Sequence, residues 1–306
     1  NAAILAVALS SVTLVSDSSL TLEGMISAPA GDVSLTVIPP QGLPSQDPLY
    51  QAAQGIWLGD AARIDVSGVA VTVDDAMGLK TGKVYDGGNV NLTANRGFVA
   101  TQAGSDINLS GTSARLNVGR LDTLGGAFKS TNIGSNGGTL TISAAEGAFL
   151  DGNLRGFAGD ASGSVGARFN LQLDPTLRDV PVVEGITPNF PQSAGVVKVS
   201  QDNAGFFGES FAGIGDALPV DLQRQAFVSA QRFADGGFGS VNLQADGEVR
   251  FLGDVALRLP YVLQFDTPKL GWQRLSEDDT GLVSLSAAQV LMGSNFIRQP
   301  VAKPGN

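Results

Sequence analysis

Histidine and cysteine are both missing from these 306 residues. Without cysteine the chain has no disulfide, no thiolate nucleophile and no cysteine-based metal site. That absence fits the cytosol. It fits equally a bacterial protein exported through an oxidising periplasm, where stray thiols would cross-link a slowly folding chain. Without histidine the commonest general base and metal ligand is gone, and a Ser-His-Asp triad cannot be assembled. Positive charge is scarce: 19 Lys and Arg stand against 29 Asp and Glu, a formal net charge of −10. Such a surface repels phosphate backbones, which argues against a nucleic-acid partner, and it favours solubility. No run of 18 apolar residues occurs, so no membrane-spanning helix is expected. The opening apolar run Ala2 to Val7 has no basic residue before it and no small-residue cleavage site after it. It reads as a buried strand rather than a signal peptide. The chain therefore reads as starting within a pattern, as a piece of something longer or a processed product.

Glycine is plentiful, at 40 residues, and is spread along the whole chain. That distribution fits many tight turns between short strands rather than a collagen or a flexible linker. A strand phrase of apolar, small polar, apolar residues recurs at Val33-Ser34-Leu35, Val90-Asn91-Leu92, Leu140-Thr141-Ile142, Val197-Lys198-Val199, Val241-Asn242-Leu243 and Val283-Ser284-Leu285. Gly87-Gly88, Gly137-Gly138 and Gly236-Gly237 precede three of them; Ala94, Ala144, Ala245 and Ala287 follow four. The spacings of 57, 50, 57, 44 and 42 residues make a loose period. Second phrases accompany most instances, among them Ile56-Trp57-Leu58, Ile64-Asp65-Val66, Ile107-Asn108-Leu109 and Val249-Arg250-Phe251. Alternation with period two marks half-buried strands, and Gly, Asp and Asn supply the turns. Self-similar strand–turn–strand units suggest a solenoid whose coils cover one another's apolar faces, with polar side-chain ladders outside. An antiparallel sandwich would also use short strands and Gly-rich turns, but it does not require one phrase to recur.

The fold expected is therefore all-β: a right-handed parallel β-helix, or β-solenoid, with projecting loops and one or two short helices. The helix candidates are Pro219 to Arg232, with Leu222, Phe227 and Val228 near one face, and Pro48 to Gln54. Coils are expected over 1–160 and 236–306, the latter ending in a C-terminal tail. An irregular, loop-rich module is expected over 161–235, packed on the coils.

The run "GIWLGDAARIDVSG" from Gly55, followed by "DGGNVNLTANRGFVATQAGSDINLSGTSA", resembles the large exoproteins of the filamentous haemagglutinin family, which Gram-negative bacteria secrete by the two-partner route. "GGTLTISAAEGAFLDG" looks like the same coil pattern. The resemblance is strongest over 55–160, recurs over 236–293 and weakens between 165 and 235. It implies a right-handed β-helix that is extracellular or displayed on the bacterial surface in association with the outer membrane. Roles known in the family are adhesion, biofilm cohesion and carriage of a C-terminal toxin. Nothing here matches the family's N-terminal secretion signal, so the chain reads as an internal or C-terminal segment.

Chemistry has few footholds. The acidic clusters Asp74-Asp75 and Glu277-Asp278-Asp279 sit in turn-like sequence, and neighbouring residues of a strand point to opposite faces. Neither makes the paired carboxylates that glycoside hydrolysis needs. Asp151-Gly152-Asn153, Asp202-Asn203 and Asp278-Asp279 offer hard oxygens for calcium, but without the tandem G-G-x-G-x-D repeat. No catalytic residue, cofactor or metal site is expected. Trp57, Phe98, Phe149, Phe238 and Phe251 read as core. Phe190, Phe206, Phe207 and Phe211 read as the core of a local subdomain or as an interaction patch. The function expected is a structural adhesin or fibre segment. It associates end to end with itself or with further coils, and its outside partners would be a host-surface or matrix carbohydrate or protein. The alternatives are a carbohydrate-binding or carbohydrate-cleaving β-helix, marked by a groove with separated carboxylates and exposed aromatics, and a stalk for toxin delivery.

Overall fold

A computed structural model describes residues 2–38, 52–119, 128–160, 163–173, 193–202, 205–206 and 211–295. They are nearly all β, in three long parallel sheets and three small two-stranded ones. The first sheet stacks β2 (Ser11–Ser16), β5 (Asp32–Val37), β10 (Asn89–Ala94), β15 (Thr139–Ala144), β18 (Arg168–Leu173), β21 (Ser240–Gln244), β24 (Val262–Asp266) and β27 (Gln289–Gly293). The second stacks β3 (Leu20–Leu22), β6 (Gly55–Leu58), β11 (Phe98–Thr101), β16 (Gly147–Leu150), β20 (Gln225–Ser229), β19 (Val196–Ser200), β22 (Glu248–Leu252) and β25 (Leu270–Gln273). The third stacks β1 (Ala3–Leu5), β4 (Met25–Ser27), β7 (Arg63–Asp65), β12 (Asp106–Asn108) and β17 (Asn153–Arg155). Beyond β17 a helix, α1 (Ala230–Asp235), packs between it and β23 (Val255–Arg258), which pairs with β26 (Val283–Ser286). Along the chain the strands fall mostly into the first, second and third faces in turn. One such pass is a rung.

Side-chain alternation builds the core. Val33, Leu35 and Val37 of β5 are buried; Val90, Leu92 and Ala94, then Leu140, Ile142 and Ala144, stack on them in register. Between them, Ser34, Asn91, Thr141, Asn170 and Asn242 form an outward polar column. In the neighbouring column, Asn89 Nδ2 donates to Asp32 Oδ1 at 2.8 Å. The glycine pairs exist because rungs approach closely here: a Cβ on Gly138 would lie 1.8 Å from the Gly88 carbonyl oxygen, and one on Gly88 the same distance from that of Gly31.

Four of the six recurring phrases stack in the first sheet. Val197-Lys198-Val199 lies in the second, and Val283-Ser284-Leu285 in β26. The same register reveals rungs that the phrase did not show: Val12, Phe169, Leu263 and Val290 align with Val33, Leu140, Val241 and one another. A bare rung is short: 21 residues from Val12 to Val33 and 22 from Val241 to Leu263. The loose period measured insertions. Residues 70–86 hold the antiparallel hairpin β8 (Ala70–Asp74) and β9 (Lys80–Val84). A second hairpin, β13 (Ser113–Gly119) and β14 (Phe128–Gly134), lies beside it.

Residues 161–235 supply β18, β19, β20 and α1 to the same stack. The helix expected over 219–232 is replaced by a 3-10 turn at Val220–Leu222, strand β20 and only then α1. Pairing with β16 on one side and β19 on the other overrides weak helical periodicity. Ala226 and Val228 point inward on a two-residue period, which a helix could not satisfy. Most of the other helix candidate, Pro48 to Gln54, lies outside the described residues.

Candidate functional site

The rung at 168–235 departs from chain order. β19 pairs with β22, and β20, although later in sequence, slots between β16 and β19. The second face thus gains a strand that the first face lacks, and α1 fills the third. What holds β20 in place lies at the corner between the first and second faces, where Arg96, Glu146, Arg224 and Asp246 are all buried. Arg96 Nε donates to Glu146 Oε1 at 2.8 Å, and Glu146 Oε2 accepts from the Gly97 N–H. Arg224 donates to the Ala145 carbonyl at 2.6 Å and to Asp246 Oδ1 at 2.9 Å, and Asp246 Oδ1 also accepts from Gly195 N at 2.7 Å. Burial pushes the Glu146 carboxyl up, against the pull of Arg96, the Gly97 N–H and Arg224. Arg224 has φ +63°, a conformation unusual for a residue with a side chain.

The described residues between β19 and β20, at 201–202, 205–206 and 211–224, include a strap over the outer side of the second sheet. Trp57, Phe98, Phe149 and Phe227 project there. Phe211 lies across them, 5.0 Å from Trp57, 5.2 Å from Phe98 and 5.2 Å from Phe149 between ring centres; Phe206 packs at a tilt against Phe227 at 5.0 Å. Leu218 closes the cluster, its N–H donating to the Ala52 carbonyl at 2.7 Å. Phe206 and Phe211 are each only 5% exposed. These two therefore present no exposed interaction patch: the aromatic outer face of the sheet needs cover, and the strap supplies it. Phe190 and Phe207 lie outside the described residues.

A cleft of about 510 Å³ opens where the third sheet stops at β17 and α1 replaces the next strand. The turns before β12 and β17 (Gly104, Asp151, Gly152), the outer side chains of those strands, and α1 with Gly236 line it. Arg155 Nε donates to Asp106 Oδ1 at 2.8 Å. Arg232, from α1, donates to the Gly152 carbonyl at 2.6 Å; burial lowers its pKa and the Asp151 carboxylate opposes the shift. Asp151 Oδ1 accepts from Phe206 N at 2.9 Å. Phe157 borders the cleft and is 47% exposed.

The acidic clusters serve turns. Asp75 accepts from Met77 N and Leu79 N, both at 2.8 Å, and Asp279 from Leu275 N and Ser276 N. Among the described residues no group of three or more acidic side chains is placed to hold a metal, and no helix is long and apolar enough to cross a membrane. Sequence reasoning noted Asp151 but not its partner Arg232, because they lie 81 positions apart in the chain. No protein-family model, curated protein or solved structure matches this chain.

Proposed function

We propose that the chain winds as a right-handed parallel β-solenoid and is a structural segment of a secreted or surface-exposed adhesin or fibre, stacked end to end with further rungs. Crossovers between parallel strands of one sheet are overwhelmingly right-handed, which supports the handedness. The observation that carries the assembly is the state of the two outer rungs. Among the described residues no strand pairs with the outer edges of β2 and β3 or of β27 and β25. Apolar side chains stand exposed at both ends, including Leu5 at 74% and Met292 at 60%. Unpaired edges of this kind recruit strands. The two ends also match: Val12 and Leu14 at one end occupy the inner columns that Val290 and Met292 continue at the other. Exposed Lys269 and Arg274 flank β25, and exposed Asp17 and Glu23 flank β3. A heterologous contact of matching ends does not close, so it propagates.

Sedimentation velocity over a concentration series, with negative-stain imaging, tests this. Rods that lengthen with concentration are expected, and Val12→Lys, which places a charge in the inner column of the outermost rung, should shorten them. A wild-type chain that stays monomeric at every concentration would refute end-to-end assembly.

A further inference from the structure

We infer that the cleft beneath α1 is a binding site for a neutral oligosaccharide. Its volume of about 510 Å³ falls within the range of small-molecule sites. Its walls exclude other ligand classes. The lining mixes apolar surface, from Ala103, Leu154 and Phe157, with carboxylate, amide and guanidinium groups, which suits a ligand with both apolar faces and hydroxyl groups rather than a purely apolar one. An ionic ligand would meet charges already compensated: Asp106 is held by Arg155, and Arg232 stands in the field of Asp151. Only Asp235 adds net charge, and its Oδ1 accepts from Gln231 Nε2 at 2.6 Å. What suits this cleft is an uncharged ligand dense in hydroxyl groups.

Two features give such a ligand its grip. Phe157 offers a half-exposed ring, on which the apolar face of a pyranose can lie. That ring is seated on Gly237, where φ is +70° and a Cβ would stand 2.4 Å from the ring. Exposed Asn153 and Asp235, which also line the cleft, carry planar amide and carboxylate groups, which pair with neighbouring hydroxyls in two directions. Strand ends and a helix position these groups, so the site is preformed and binding does not require the strap to move.

The test is calorimetric titration of the full chain with a panel of neutral hexasaccharides, β-glucan, α-glucan, mannan and xylan, with heparin-derived and alginate hexasaccharides alongside. At least one neutral chain should bind, with an affinity that changes less than twofold between 50 and 300 mM salt. Phe157→Ala and Asn153→Ala should each weaken it tenfold or more. Asn153 is exposed and its side chain makes no hydrogen bond among the described residues, so that variant reads the site even if Phe157→Ala loosens the α1 end. No binding of any neutral member at millimolar concentration overturns the proposal. So does binding that both variants leave unchanged, or binding confined to the anionic oligosaccharides. Whether the chain forms rods does not enter this outcome.

Discussion

Replacing Arg224 by Met should unlock the inserted strand. The guanidinium is buried, makes a 2.9 Å ion pair with Asp246 and donates to two backbone carbonyls, those of Ala145 at 2.6 Å and Ser193 at 3.3 Å. Its own N–H donates to the Glu146 carbonyl at 2.6 Å, and Met keeps that bond. Met would fill much of the volume but would strip a cation from a buried carboxylate. Removing one partner of a buried pair typically costs about 3–5 kcal/mol, mostly because the other charge is left uncompensated. The positive φ at 224 persists in the variant, so no relief of strain offsets the loss. With a urea dependence of about 3 kcal/mol per molar, the midpoint should fall by roughly 1–1.7 M. The loss should be local before it is global, because stacked rungs are coupled chiefly to their neighbours. Hydrogen exchange should therefore quicken first at the amides of β20 and at Gly195, while β5 and β10 remain protected. A variant combining Arg224→Met with Asp246→Asn removes the orphaned charge and should cost less than the sum of the two single changes. A loss under about 1 kcal/mol, or additive single effects, would show that this corner does not lock β20.

Two further outcomes follow from the geometry. Asp254 is held below its ordinary value of 3.8 first by the Thr280 hydroxyl and then by three backbone N–H groups, and Asp279 first by the Ser276 N–H and then by that of Leu275. Depressed carboxylates stabilise above their ordinary pKa and lose that contribution as pH falls through the folded value. The loop between β25 and β26 should therefore be indifferent to pH from 8 to 5 and loosen below about 4, reported by Trp272, whose indole donates to Gly253 and lies against Gly281; a fluorescence change centred above pH 5 would contradict it. Gly138→Ala places a methyl group against the Gly88 carbonyl and should cost about 1–3 kcal/mol in urea melts, whereas Gly213→Ala meets nothing within 4 Å and should lie within about 0.5 kcal/mol of wild type; equal effects would refute the close-packing account.

The strand phrases were legible because their alternation is local: each reports its own buried and exposed faces. The glycine pairs were legible as punctuation, although their cause, close contact between rungs, is not. Rungs such as Phe169-Asn170-Leu171 and Leu263-Gln264-Phe265 carry larger or less regular residues and were missed. They join the stack because any apolar pair at the inner positions fills the column. The strand at 225–229 was mistaken for helix because nothing local records that two strands wait on either side of it. Arg96 and Glu146 sit in unremarked turn sequence, and only burial makes them a pair.

By itself, the sequence determined that this chain is built of short strands with apolar insides and small polar outsides. It also excluded histidine and thiol chemistry, because composition and period-two alternation are properties of the chain alone. The tertiary structure decided which rung follows which. It placed β20 out of order, turned Phe206 and Phe211 inward over an aromatic sheet face, and opened a cleft where α1 interrupts the third sheet. Each of these depends on residues from distant rungs meeting in space, and stacking, which no local pattern encodes, brings them together.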